Sequence, residues 1–454
     1  MTFANKPLIT AQTYTLKNGL KVIVVPSGLA PVVTVGIVYH VGTADDPIDE
    51  VGLSHFLEHM MFKGTKKIPG AEFNKQILQK GGQNNAQTSY DYTLYHTTIA
   101  KKHLEFIISA EADRMRNLTF QEHEIISEMG VVLEERLMRF DNNPFGTAYE
   151  SFLRAMHPYH PYGVTPIGFP HHIKKYTFQS VRKHYDTWYH PNNATIIITG
   201  KVTLAEILPH IEKEFGNFEK KDTPIRRRPQ NPPREGVTQL IKQYNKRNSA
   251  ILLQYSYDAP QFRSELGKTY YYPLTVLSHL LGGNQTTEFY TNFVENKKLA
   301  LSVSSEYDGI SIDPRDFSIS AMLQPTANVD AFYAELKAIF ARLINSGVSQ
   351  DDLERTKADL TAQLAYTKDG TTGFLQTIAE YVALGISIEE INEWQKKIEA
   401  VTIDDIKKAA QLIFKEAPVV TLEIHPKQRA AHPEHANAQK PLILSRLIKY
   451  FKTF

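Results

Sequence analysis

Between Lys220 and Gly236 the chain reads KKDTPIRRRPQNPPREG, with four prolines beside a basic cluster. Proline lacks the amide proton that helix interiors and central strands require, so this stretch can neither continue a helix nor pair inside a sheet. At 454 residues the chain is also too long for one ordinary hydrophobic core. We therefore divide it into a first domain over 1–222, a linker over 223–236, a second domain over 237–428 and a tail over 429–454.

The order of elements recurs across that division. LKVIVVPSGLAPVVTVGIVYHVG (20–42) is rich in β-branched residues around a PSG turn and predicts two paired strands, with a helix to follow. The spacing predicts a strand over 86–100, helices over 101–116 and 120–140, and a buried strand over 193–203. Beyond the prolines, SAILLQYSY (249–257), YYYPLTVLSHLLGG (270–283) and LALSVSSEY (299–307) repeat strand, helix, strand. The fold class is α+β: two related domains, each a mostly antiparallel sheet flanked by helices. The tail ends in PLILSRLIKYFKTF, whose Arg446, Lys449 and Lys452 beside an apolar face predict an amphipathic helix.

Composition then narrows the chemistry. With no cysteine, disulfides, thiolate ligands and thiol nucleophiles are excluded, so any transition-metal site must use histidine and carboxylate. Lys plus Arg total 51 against 49 Asp plus Glu, which leaves no whole-molecule field for nucleic acid. No apolar run approaches the roughly 20 residues of a membrane span. MTFANKPLITAQTY has neither a signal-peptide nor a transit-peptide pattern. The expectation is a soluble protein, cytoplasmic as the chain stands and periplasmic if a signal peptide has been removed.

GLSHFLEHMMFKGT carries the sharpest signal. On a helix over 53–62, at about 100° per residue, His55 and His59 share one face with Glu58 beside them, while Leu53, Phe56, Leu57, Met60 and Met61 gather opposite. Histidines four apart bring two imidazole nitrogens to one zinc, and a carboxylate just before the second can take a proton from water without ligating. A third ligand is needed. In EHEIISEMGVVLEERL (122–137), Glu124, Glu128 and Glu135 share one helical stripe, and Glu134 points away. The plainer reading is a solvated acidic face, with Arg139 an ordinary ion-pair partner of Glu135. His40, His96 and His279 sit in apolar segments as structural histidines, and His157, His160, His171 and His172 flank turns with no ligand spacing.

Taken together, GLSHFLEHMMFKGT, GGQNNAQTSYDYTLYH (81–96), EMGVVLEE (128–135) and HPYGVTPIG (160–168) resemble the pitrilysin family of inverted-motif zinc peptidases. The resemblance implies a clam-like pair of domains and one Zn2+ per chain. It implies His55, His59 and Glu135 as ligands, since Glu135 stands 76 residues after His59 as the family's zinc glutamate does. Glu58 becomes the general base. Glu128 is implied as a supporting catalytic carboxylate, behind Glu135, orienting it or the bound water. Asn85, Ala86, Gln87 and Thr88 match the edge on which the family holds peptide as an added strand.

The chain departs from that pattern in its second half. Where members that work alone or as homodimers carry an Arg and, seven residues later, a Tyr, the stretch VENKKLAL places Val294 and Leu301. Short heterodimeric members divide the labour in this way. The expectation is a zinc endopeptidase for extended or unfolded peptides in an enclosed cavity, acting as the zinc-bearing subunit of a two-chain enzyme. The related partner would supply the Arg and Tyr; a homodimer is the alternative. Against it stand a non-catalytic structural or assembly subunit of the same fold and a small-molecule hydrolase.

Overall fold

The structure, a computed structural model, describes residues 9–28, 30–232, 238–367, 370–417 and 419–427. The amphipathic helix expected at 441–454 lies outside them. Eleven strands form two sheets. The first contains β1 (Gln12–Thr15), β2 (Lys21–Pro26), β3 (Val32–Tyr39), β4 (Gln83–Thr88), β5 (Thr93–Ala100) and β6 (Ala194–Gly200), in the order β1-β2-β6-β3-β5-β4. The second contains β7 (Thr238–Asn245), β8 (Ile251–Ala259), β9 (Ser302–Tyr307), β10 (Arg315–Leu323) and β11 (Val419–Pro426), in the order β7-β11-β8-β10-β9. Each sheet is antiparallel except for one parallel pair, β2 with β6 and β7 with β11.

Two local expectations change. The strands in 20–42 form, but they do not pair with each other: β6 lies between them, parallel to β2 and antiparallel to β3. All seven residues of β6 are buried, and this apolar run takes the central place that a short hairpin would have closed. The stretch 86–100 is a hairpin rather than one strand, because the chain turns at Ser89–Tyr92, where Ser89 N–H donates to the Tyr92 carbonyl. The Thr/Tyr alternation runs straight through that turn, so periodicity alone does not reveal it.

The first five α-helices along the chain are α1 (Leu53–Met60), α2 (Glu72–Gln79), α3 (Leu104–Asn117), α4 (Glu122–Arg136) and α5 (Pro144–Met156). The faces of α1, α3 and α4 that bury Phe56, Leu57, Ile107, Ile108 and Val132 pack on one side of the first sheet. Its other side, with Ile23, Val38, Leu94 and Ile197, is covered by Phe374, Leu375 and Ile378 of the helix Thr371–Ala383, which comes from the second half. The exchange is mutual. α5 lays Ala148, Phe152 and Met156 on Val420, Leu422 and Ile424 of β11. No helix among the described residues is long and apolar enough to cross a membrane.

Candidate metal centre

α1 begins at a buried carboxylate. Asp46, six residues upstream of Gly52, accepts from the N–H groups of Gly52 and Ser54 at 2.8 and 3.0 Å and from Ser54 Oγ at 2.6 Å. It thereby satisfies donors that a helix start leaves open. Gly52 also lies against the 163–168 loop: a Cβ on Gly168 would stand 2.1 Å from the Val51 carbonyl oxygen, so only glycine permits the two backbones to approach. That approach presents the polar face of α1 to α4.

On this face the His55 and His59 rings lie 4.9 Å apart. Glu135, from the last turn of α4, directs Oε2 to within 3.8 Å of His55 Nε2 and 3.2 Å of His59 Nε2. Ligand atoms of the three residues all lie within 4.8 Å of one another, and no other group of three such residues does so among the described residues. Donors of a tetrahedral zinc site with bonds of about 2.0–2.1 Å stand roughly 3.3 Å apart, so the two measured separations straddle the requirement. Two imidazoles and one carboxylate are also a donor set that zinc favours. The residues fit the ion.

The electrostatics agree. Burial, reinforced by His59, pushes His55 down to about 3, keeping its ring neutral and its lone pair available. Burial opposes charge on His59, but the carboxylates of Glu128 and Glu135 outweigh it and raise the ring to about 9. A proton held there occupies ground suited to a cation. Burial likewise opposes the Glu135 carboxylate, yet His59, His55 and Arg139 bring it to about 2.

Each acidic residue of α4 has its own place. Glu124 closes the helix start, its Oε2 accepting from Gln121 N–H at 2.7 Å, and takes no part in the cluster. Glu134 is exposed, as its angle predicts. Glu135 answers both readings: Oε2 faces the histidines while Oε1 pairs with Arg139 at 3.0 Å. Glu128 departs from the expectation. It lies behind His59 rather than Glu135, accepting from Nδ1 at 2.9 Å and pairing with Lys63 at 2.5 Å. The reason is angular: the stripe shared with Glu135 carries Glu128 two turns back, level with the last turn of α1.

Glu58 is held by the sheet. Thr88 Oγ1, on β4, donates to Glu58 Oε2 at 2.5 Å. Burial raises this carboxyl to about 7, against the pull of Thr88 and His59. β4 is an edge strand that, among the described residues, pairs only with β5, so none of them covers its second edge. Asn85, Ala86, Gln87 and Thr88 line the same cavity of about 660 Å³ as the histidines, with Phe62, Phe140, Ile167 and Gln376.

Several contributors carry no signal in the sequence. Lys63 stands within GLSHFLEHMMFKGT but shows no telling spacing until Glu128 is placed. Arg136, next to Glu135, is buried and donates to both Glu150 oxygens and to the Gly168 carbonyl, tying α4 to α5 and to the loop against α1. Gln376 comes from the other half of the chain. His40 contacts the Ala383 carbonyl and Thr195, His279 pairs with Asp359, and His160 with Asp313.

Two sheets flanked by helices, with this donor set at the free edge of one, define a class of metallopeptidase fold. Residues 21–157 match the model of the insulinase family, peptidase family M16, and residues 175–360 match that of the peptidase M16 inactive domain. The chain belongs to the M16, or pitrilysin, family. It is 27% identical over 419 residues to the zinc protease PqqE of Helicobacter pylori, covering 91% of this chain and 93% of that one. It is 24% identical to the uncharacterized zinc protease YmxG of Bacillus subtilis, over 89% and 95% of the two chains. The crystal structure of a protease from Helicobacter pylori superposes with a TM-score of 0.85 at 27% identity, over 92% of this chain and all of that one. The first half of the periplasmic protease PqqL from Escherichia coli shares the fold, with a TM-score of 0.75 at 23% identity over 93% of each.

Proposed function

We propose that the chain is a zinc-dependent endopeptidase acting on extended peptides, with His55, His59 and Glu135 holding the ion and Glu58 serving as the proton carrier. The observation that carries this reading is the convergence of three donors beside a carboxyl fixed by a free-edge strand. Bound zinc would supply the Lewis acidity that amide hydrolysis needs. Peptide main chain pairs with the free edge of β4, bringing a carbonyl to the face of Glu58. With Oε2 engaged by Thr88, Glu58 takes a proton on Oε1 as water oxygen bonds to the carbonyl carbon. It returns that proton to the nitrogen as the C–N bond breaks. Glu128 and Lys63 keep the His59 ring turned so that Nε2 faces the donor cluster.

Metal analysis of the purified chain should give about one zinc per chain. Glu58→Gln should keep that zinc and lose hydrolysis by a factor of about 10² to 10⁴; turnover at the wild-type rate overturns the assignment. Chelation should abolish cleavage, and extended peptides should be cut in preference to amino-acid esters, against the small-molecule reading. Val294 and Leu301 support a second chain that completes the substrate site. A non-catalytic assembly role is the competing reading, and it requires that zinc and chelator leave peptide cleavage unchanged.

A further inference from the structure

The two faces of β4 are chemically unlike. In the β4–β5 register Ala86 pairs with Tyr95 and Thr88 with Thr93, while Asn85 pairs with His96 and Gln87 with Leu94. Directly opposed residues project from the same side of an antiparallel pair. Ala86 and Thr88 therefore face α1, where Thr88 reaches Glu58. Asn85, Gln87 and His96 face the other way, toward the helix Thr371–Ala383. That helix places Gln376 Nε2 3.4 Å from Gln87 Oε1 and 3.4 Å from His96 Nε2. Gln87 in turn donates to Tyr92 Oη at 3.1 Å. Gln376 lines the same cavity as His55, Glu58 and His59, although it belongs to the second half of the chain.

A peptide strand added to β4 would alternate its side chains with the same period of two. Residues adjacent to those on the metal side would then meet Asn85, Gln87 and Gln376. We propose that Gln376 is a specificity-determining residue, and that this amide cluster is a polar subsite for uncharged hydrogen-bonding side chains such as Asn, Gln, Ser or Thr. An apolar side chain there would leave the remaining donor and acceptor capacity of these amides unmet. A charged one would meet amide and hydroxyl groups rather than a paired opposite charge, since among the described residues the hydrogen bonds of Gln376 and Gln87 run to each other, His96 and Tyr92. The inference rests on the reading of β4 as the peptide-binding edge.

Extended peptides that differ only in Gln, Asn or Leu at alternate positions flanking the cut test it, on the zinc-loaded full chain. Cleavage products and fluorescence anisotropy of the labelled peptides are both read. The wild type should prefer Gln over Leu about tenfold at one alternating set of positions. Q376L should erase or reverse that ratio and Q376N retain most of it, with zinc content and thermal midpoint unchanged in both. A ratio that Q376L leaves intact overturns the subsite while peptide binding at the edge stands. Peptides that the wild type neither binds nor cuts overturn the edge reading, and the subsite with it.

Discussion

Glu128 never faces the space between the three donors, yet it governs one of them. By accepting from His59 Nδ1 it orients the ring so that Nε2 faces Glu135, and the hydrogen bonds from His59 and then Lys63 hold the Glu128 carboxyl below its ordinary value. Glu128→Gln and Lys63→Met should each weaken zinc binding, by about 10- to 100-fold for Glu128→Gln and less for Lys63→Met. Competition with a chromophoric chelator measures this, and wild-type affinity in Glu128→Gln would remove it from the metal site. The same geometry sets a pH dependence. The metal-free ring of His59 is raised to about 9, so its contribution to stability is whole below the unfolded value near 6.5 and vanishes as pH rises through 9. Burial raises Glu58 to about 7 and Asp46 to about 8, shifts of the same sign. The thermal midpoint of the metal-free protein should therefore fall between pH 6.5 and 9, with a shallower slope in His59→Gln. Zinc should protect more strongly as pH rises, since the ion takes the place of a proton. His55, Glu58 and His59 were legible as candidates because short helical spacings set them on one face, whereas spacing left Glu124, Glu128 and Glu135 on one stripe and only the family resemblance singled out Glu135. Lys63 and Gln376 were not legible, because their partners lie 65 and 289 residues away in the chain.

At the scale of elements, α1 has eight residues, too few to hold its shape in isolation, so its position comes from its ends and its packing. Asp46→Ala leaves the Gly52 and Ser54 amides without their acceptor. It should cost about 1–3 kcal/mol of stability and lower zinc affinity as the ligand helix loosens, read by denaturant unfolding and chelator competition. Stability within a few tenths of a kcal/mol of wild type would show that water replaces the carboxylate. The helices expected at 53–62, 101–116 and 120–140 were legible from apolar periodicity, which the buried faces of α1, α3 and α4 bear out, whereas α2, α5 and the helix Thr371–Ala383 were not foreseen. Strand pairing was less so. Nothing local in 20–42 reveals that β6, more than 150 residues later, inserts between β2 and β3, since pairing is decided by which buried run fills the centre of the sheet. The turn within 86–100 was hidden for a related reason: the hydrogen bonds of Asp91 run to Tyr162 and Arg228, not to its neighbours.

Over the whole molecule, the proline-rich stretch does more than separate two halves. Arg228 within it is buried and donates to Asp45, Asp91 and Asp313, joining the β3–α1 connection, the β4–β5 turn and the β9–β10 loop. Arg228→Met removes the charge that three carboxylates share, while Asp45 keeps Arg226, Asp91 keeps Tyr162 and Asp313 keeps His160, so it should lower stability by about 1–3 kcal/mol, with a loss of thermal midpoint to match. The exchanged helices hold the halves from both sides, leaving the metal face of the first half beside a free strand edge. On the two-chain reading proposed above, what stands opposite that edge decides activity. In fold this chain is similar to the first half of PqqL, and its match covers 47% of the complete PqqL chain. Its own second half presents Val294 and Leu301, side chains that cannot hydrogen-bond a peptide carbonyl. Two missing hydrogen bonds, at about 1 kcal/mol each, amount to a deficit of roughly 10- to 100-fold in kcat/KM. The chain purified alone should therefore cut unfolded peptides slowly. A co-purifying related subunit that carries Arg and Tyr at those positions should restore the deficit, chiefly through KM. Sedimentation and assay of the same sample decide the point: full turnover by a monomer would mean that this chain needs no partner, and that other residues of its own hold the substrate.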